Sequence, residues 1–162
     1  MRVTKQFAES FDGKKAQIGN LTLFITEEFI SQVTGIPQVG EKWFKKKHMD
    51  DKSWTLYINK SRKVCNWVSG VSRSWLKSPW DEIAYLVQKY VTCEGRFSLV
   101  FLNHIRILQH LNQEKLMDMP YYLSQSLKKM STQVKKNKNK DRSMYHHGFI
   151  KMLVEYELNQ RG

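Results

Sequence analysis

Apolar residues recur at helical spacing along most of the chain. Within residues 120–136, Leu123, Leu127, Met130 and Val134 are separated by four, three and four positions, so they share one face of a helix. Apolar periodicity or cap residues predict four further helices, over about 27–34, 79–93, 97–113 and 143–158. The third of these is apolar nearly all round, and we expect it to be the central, mostly buried helix of the fold.

Residues with capping preferences mark the ends of two predicted helices. Thr26 and Gly35 fit the N-cap and the C-terminal cap of the helix that lies between them. Ser78 and Pro79 fit the N-cap and the first helical position of the next one.

Alternating apolar residues predict two short strands in the first part of the chain. Residues 17–25 alternate through Leu21, Leu23 and Ile25, and residues 53–59 alternate in a similar way. Taken together, the elements indicate a mainly α fold. We expect a helical bundle-like single domain of about five or six helices, with a small two-stranded β element near the N-terminus.

One domain is expected to span residues 1–162, since no internal repeat or domain boundary interrupts the chain. Residues 1–16 contain no apolar run of the kind that forms a secretory signal, and we expect them to be flexible. Residues 135–142 contain the low-complexity run KKNKNK, and we expect a basic exposed loop between two helices.

Composition narrows the class of protein. Hydrophobic residues make up 41% of the chain, which supplies a packed core. No apolar run approaches the roughly 20 residues that cross a bilayer, so we expect no membrane contact. The two cysteines, Cys65 and Cys93, do not form a disulfide framework. We therefore expect an intracellular protein, with the nucleus as the candidate compartment.

Motifs of the common enzyme classes are absent from the sequence. There is no P-loop, GxGxxG or GxSxG motif, and the histidines and cysteines lack metal-site spacing. Three separated acids, Asp81, Asp118 and Glu155, lie on or beside predicted helices and not on strands of one sheet, which argues against a two-metal nuclease centre. We expect a non-enzymatic protein without a catalytic residue, a metal or a cofactor.

The basic charge is concentrated in two segments. The chain has a formal net charge of +12. Residues 42–63 hold eight bases and two acids, and residues 128–142 hold seven bases and one acid, so each segment has a net charge of +6. A localised excess of this kind creates a directed positive field that attracts phosphates.

The two basic segments supply the candidate nucleic-acid-binding residues. Lysines and arginines would neutralise backbone phosphates, and aromatic rings would stack on bases or wedge between them. The candidates are Lys42, Trp43, Phe44, Lys45, Lys46, Lys47, Arg62, Lys63, Lys128, Lys129, Lys135, Lys136, Lys138, Lys140 and Arg142. No helix-turn-helix, zinc-finger, RRM or KH signature accompanies them, so the signal is electrostatic alone.

Four stretches carry a resemblance to a known group: FITEEFISQVTGIPQVGEKWF, SRSWLKSPWDEIAYLVQKYVTCEGRFSLVFLNHIRIL, MPYYLSQSLKKMS and YHHGFIKMLVEYEL. They resemble uncharacterised plant proteins described as transposon- or retrotransposon-associated. The resemblance covers roughly residues 17–158. It implies a plant source and a mobile-element origin, and it brings no established reaction or catalytic residue.

The leading hypothesis is a non-enzymatic, mobile-element-derived module that contacts the nucleic-acid backbone through the two basic segments, with DNA and RNA both open. The alternative is a structural self-assembly domain of capsid-like type, or a protein-interaction domain, whose charge serves solubility. The two differ in their consequences: backbone binding weakens steeply with salt, whereas assembly raises the apparent mass with concentration.

Overall fold

The computed structural model describes residues 2–44, 57–59, 70–93, 98–137 and 144–161. Six α-helices lie in this part of the chain: α1 (Arg2–Ser10), α2 (Glu27–Thr34), α3 (Trp80–Val87), α4 (Leu102–Asn112), α5 (Met119–Lys136) and α6 (His147–Arg161). Its four short strands are β1 (Lys15–Ile18), β2 (Leu21–Phe24), β3 (Val71–Ser72) and β4 (Leu99–Val100). The predicted mainly α fold is confirmed. None of the described helices is long and apolar enough to cross a membrane.

Contacts along the chain divide it into two compact units. Unit 1 comprises Met1–Lys42 and Asp118–Gly162, and unit 2 comprises Trp43–Met117. Unit 1 contains α1, α2, α5, α6 and the β1–β2 pair, and unit 2 contains α3, α4 and the β3–β4 pair. One domain across residues 1–162 stays a prediction.

A β-hairpin replaces the single strand predicted over residues 17–25. β1 and β2 pair antiparallel, and Ile18 lies opposite Leu21, so the loop consists of Gly19 and one further residue. Gly19 has a φ of +57°, which suits a tight two-residue hairpin turn. The predicted small sheet near the N-terminus is confirmed, although the strand that pairs with β2 is β1, which was not predicted as a separate strand. Residues 53–56 of the other predicted strand lie outside the described residues.

Helix α1 occupies the segment that was expected to be flexible. Thr4, Phe7, Ala8 and Phe11 are all buried. Their spacing of three, one and three residues gives one helical face, and this pattern within residues 1–16 is the signal that sequence reasoning missed. The rings of Phe7 and Phe11 lie 5.0 Å apart. Burial of this face fixes the N-terminal segment on unit 1.

The core of unit 1 forms around α5. Leu123, Leu127, Met130 and Val134 are all buried, as their spacing predicts. Residues of the neighbouring elements belong to the same cluster, namely Phe7, Ala8, Leu21, Leu23, Ile30, Ile150 and Leu153. One long helix therefore organises the apolar faces of α1, β2, α2 and α6.

Helix α4, expected at the centre of the whole fold, belongs to unit 2. It begins at Leu102 and not near the start of the predicted range 97–113, because the apolar residues before it form β4. Ile105 and Leu108 are fully buried, whereas Leu111 is half exposed. An apolar run without clear periodicity does not distinguish a strand from a helix, which explains the error.

The cap predictions have different outcomes at α2 and α3. At α2, the Thr26 side chain accepts the amide hydrogen of Phe29 at 2.9 Å, and Gly35 adopts a φ of +74°, as predicted. At α3, Ser78 does not cap the helix. The N-cap residue is Pro79, it makes no side-chain cap, and the peptide bond between Ser78 and Pro79 is cis.

The remaining helix boundaries differ from prediction by a few residues. α3 stops at Val87, and a single π turn carries the chain to Cys93, which has a φ of +54°. α5 starts one residue before the predicted 120. Asp118 caps it by accepting the Tyr121 amide hydrogen at 3.0 Å. α6 begins at His147, later than the predicted 143.

Candidate nucleic-acid interface

The first basic segment is described at residues 42–44 and 57–59, and three of its candidates, Lys42, Trp43 and Phe44, lie there. The other candidates of this segment, Lys45, Lys46, Lys47, Arg62 and Lys63, lie outside the described residues. Of the three described candidates, Lys42 belongs to unit 1 and the two aromatic residues belong to unit 2.

Lys42 takes part in intramolecular interactions. Its Nζ lies 3.3 Å from a carboxylate oxygen of Glu27 and 4.0 Å from one of the buried Asp118. The same ammonium group lies 5.6 Å from the centre of the Tyr121 ring. Lys42 thus partly neutralises the buried carboxylate of Asp118, and its ammonium group is less available to a phosphate.

Trp43 is a core residue of unit 2, which contradicts its predicted stacking role. Only 4% of its surface is exposed, so a base cannot reach the ring. Its indole Nε1 donates a hydrogen bond to Nε2 of His110 at 3.3 Å. Indole nitrogen is only a donor, so His110 carries its proton on Nδ1, which lies 3.0 Å from the Arg106 carbonyl oxygen. The ring therefore anchors the core.

The buried histidines of unit 2 have structural partners as well. Nδ1 of His104 accepts the backbone N–H of Phe101 at 3.0 Å, so Nε2 carries the proton towards Thr92 Oγ1, also at 3.0 Å. Both nitrogens of His104 and of His110 therefore have a polar partner within the protein, and neither imidazole ring has a nitrogen left to bind a metal. Among the residues that the structure describes, no group of three His, Cys, Asp or Glu side chains could hold a metal ion.

The second basic segment lies mostly on α5. Lys128, Lys129, Lys135 and Lys136 are helical, and the last two form the final turn of the helix predicted over about 120–136, so the loop predicted over 135–142 does not begin at residue 135. The other three candidates, Lys138, Lys140 and Arg142, lie outside the described residues. The helical periodicity of the α5 apolar stripe runs on to Val134, which explains why the helix includes the first lysines of the predicted loop.

Two of these lysines border a cleft on unit 1. Lys128 and Lys135 are two helical turns apart and therefore share a face of α5. This face meets the turn between α1 and β1 and encloses a cleft of about 280 Å³. We call it the lysine cleft; it is lined by Phe11, Asp12, Gly13, Lys128, Ser131, Thr132 and Lys135.

Hydrogen bonds from α5 fix one wall of the lysine cleft. Ser131 Oγ lies 2.7 Å from the Ala8 carbonyl oxygen and 3.1 Å from that of Phe11. The ammonium group of Lys135 also donates to the Phe11 carbonyl. Carbonyls at a helix C-terminus lack helical partners and attract cations, so these two side chains complete the end of α1.

The Asp12 carboxylate fixes the opposite wall. Its Oδ1 accepts the backbone N–H of Lys14 at 2.9 Å and that of Lys15 at 2.8 Å. These two hydrogen bonds, chiefly the one from Lys15, lower the pKa of Asp12. Gly13, between the carboxylate and its donors, has a φ of +95°, which favours glycine.

The turn adds two lysines that sequence reasoning missed. Lys14 and Lys15 are both exposed and directly follow the cleft-lining residue Gly13. They lie outside the two segments with excess charge, so charge counting did not select them. The signal was the sequence FDGKK, in which an Asp-Gly turn is followed by two lysines. Two lysines thus line the cleft together with Asp12, and two more follow in the turn that Asp12 caps.

Comparison with known proteins gives no family for this chain. A scan against protein-family models finds no match, and searches of curated proteins and of solved structures find none either.

Proposed function

We propose that unit 1 binds the phosphate backbone of nucleic acid at the lysine cleft, as a non-enzymatic module of mobile-element origin. One observation carries the proposal: Lys128 and Lys135 on α5 meet the turn that presents Lys14 and Lys15, although the two pairs are far apart in sequence. Clustered ammonium groups attract phosphates and release their counterions, which is the main source of sequence-independent affinity.

The donors of the cleft are ammonium groups and not hydroxyl groups. Thr132 Oγ1 donates to the carbonyl of Lys128 at 2.9 Å, and Ser131 Oγ donates to the Ala8 carbonyl. Lys135 uses one N–H on Phe11 and retains two others. Lysine ammonium groups contact phosphates as point charges and carry no information about base identity. Binding at this site is therefore independent of sequence.

The testing experiment compares two double variants with equal loss of charge. Lys14→Gln/Lys128→Gln removes two lysines of the proposed surface. Lys5→Gln/Lys151→Gln removes two exposed lysines on α1 and α6 that do not line the cleft. Affinity for a fluorescent duplex and a fluorescent single strand is measured by anisotropy at several salt concentrations.

We expect the cleft variant to bind both oligonucleotides more weakly and the control variant to match the wild type. For duplex DNA, the slope of log K against log salt should fall by about two in magnitude, since each phosphate contact contributes about 0.9. Equal weakening in both variants would show that net charge alone is responsible. No binding by the wild type at low salt would overturn the proposal, and a mass that rises with concentration would then favour self-assembly.

A further inference from the structure

The outward face of the hairpin carries an exposed aromatic side chain paired across the strands with Lys15. Lys15 of β1 lies directly opposite Phe24 of β2. The next pair, Ala16 and Leu23, is buried in the core of unit 1. Successive residues of a strand face opposite sides of the sheet, so Lys15 and Phe24 share the outward face. Phe24 is 63% exposed.

Other aromatic rings of unit 1 are packed against partners. Phe7 and Phe11 lie against each other in the core, and Phe29 packs edge-on against Tyr156 with ring centres 5.8 Å apart. Phe24 differs because most of its ring surface is open to solvent. The structure thus offers a flat apolar surface in the basic region, which the buried Trp43 cannot supply.

We infer that Phe24 is a stacking platform for an unpaired base and that the ligand of this surface is single-stranded nucleic acid. The inference rests on the proposed binding of phosphates at the lysine cleft. Lys15 connects the two parts of the surface. Its backbone N–H bonds to Asp12 of the cleft, and its side chain emerges roughly 5 Å from that of Phe24 across the strands.

The preference for a single strand follows from the geometry of bases. In a duplex, each base already stacks on its neighbours and its flat face is covered. In a single strand, an exposed aromatic ring can take the place of a neighbouring base, and the gain depends little on base identity. The lysines contribute to binding of both forms, whereas Phe24 contributes only to binding of the single strand.

The test varies both the ring and the base. Phe24→Ala removes the ring, Phe24→Leu keeps apolar bulk without aromaticity, and Phe24→Tyr keeps the flat face. The ligands are an oligothymidine, the same strand with abasic sites, and a duplex of equal length. Anisotropy at fixed low salt measures the affinities, and circular dichroism checks that each variant is folded.

We expect Phe24→Ala and Phe24→Leu to bind oligothymidine about tenfold more weakly, and Phe24→Tyr to bind like the wild type. Duplex affinity should be unchanged in all three. The affinity of the wild type for the abasic strand should be about as low as that of Phe24→Ala for oligothymidine. Abasic sites should lower the affinity of Phe24→Ala only slightly further. Equal affinity of Phe24→Ala and the wild type for oligothymidine would overturn the inference. It would also be overturned if Phe24→Ala lost as much affinity for the duplex as for the single strand.

The two proposals fail in different ways. If Lys14→Gln/Lys128→Gln weakens binding while the Phe24 variants do not, the lysine cleft binds phosphates and the stacking inference alone is wrong. If the lysine variant binds like its charge-matched control, the proposed function is wrong whatever the Phe24 variants show. If Phe24→Ala does not fold, the comparison of Phe24→Leu with Phe24→Tyr decides the test.

Discussion

The ammonium group of Lys135 donates a hydrogen bond to the carbonyl oxygen of Phe11, one residue beyond the end of α1. This bond joins the last turn of α5 to the turn before β1, which are distant in sequence. It gives Lys135 two roles: it completes the C-terminus of α1 and it contributes charge to the lysine cleft. Lys135, which the sequence predicted to bind a ligand, thus has a structural role at the end of α1.

Replacement of Lys135 should therefore lower stability, unlike replacement of its neighbour. We expect Lys135→Met to lower the free energy of unfolding by about 1 kcal/mol, because a carbonyl at a helix C-terminus loses a charged donor. Lys136→Met is the control, with an expected change within about 0.5 kcal/mol. Urea denaturation of the full chain measures both. Equal stability of the two variants would show that the bond to Phe11 contributes nothing.

Ser131 should contribute more to stability than the adjacent Thr132. Ser131 is buried and bonds to carbonyls of another element, whereas Thr132 is exposed and bonds to its own helix. Ser131→Ala leaves the Ala8 carbonyl of α1 without that donor, and we expect a loss of about 1–3 kcal/mol. Thr132→Ala should change stability by less than about 0.5 kcal/mol. Chemical denaturation distinguishes them, and a neutral Ser131→Ala would contradict the proposed anchoring of α1.

Much of the fold could be predicted from local patterns. The α5 stripe, the Thr26 and Gly35 caps and the mainly α class all follow from spacing and residue type within one element. α1 was missed because its apolar face is short and contains a threonine and an alanine. The hairpin was read as one strand because the alternation of Leu21, Leu23 and Ile25 marks only β2, and the turn at Gly19 was taken as part of the same strand.

The candidate site was less predictable because it depends on which elements meet. Charge counting found Lys128 and Lys135 from a dense segment but passed over Lys14 and Lys15, which come near these two lysines only through the packing of α5 on the turn. Composition also could not tell a buried aromatic from an exposed one. Trp43 beside a lysine run is in the core, whereas Phe24 in an apolar strand faces solvent.

Trp43 should contribute to stability and not to binding. Trp43→Phe removes the indole donor from Nε2 of the buried His110, and we expect a loss of about 1–2 kcal/mol in unfolding free energy. Affinity for oligothymidine should stay unchanged. Phe24→Leu is the opposite control, with unchanged stability and weaker binding. A Trp43→Phe variant of normal stability and reduced affinity would restore the stacking role predicted from sequence.

The Asp12 turn should lose stability in acid. Hydrogen bonds from the Lys15 and Lys14 amides lower the pKa of Asp12 below its ordinary value of 3.8. A lowered pKa means that the carboxylate stabilises the folded state above the ordinary value, and that this contribution is lost as the pH falls through the folded-state pKa. The difference in stability between the wild type and Asp12→Asn should therefore be constant near neutral pH and shrink below about pH 4. Denaturation at several pH values measures it, and a difference independent of pH would contradict the role of the carboxylate.

The same substitution should strengthen nucleic-acid binding. Asn keeps an Oδ1 that can accept the two amides, so the turn is retained, but it removes the negative charge from the lysine cleft. A phosphate then meets less repulsion, and we expect Asp12→Asn to bind both strand and duplex several-fold more tightly at low salt. Glu155→Gln on α6 is the charge-matched control, because its carboxylate is exposed and does not line the cleft. Equal strengthening in both variants would assign the effect to net charge. Strengthening confined to Asp12→Asn would place the bound phosphate beside the turn that holds Lys14 and Lys15, as the proposed function requires.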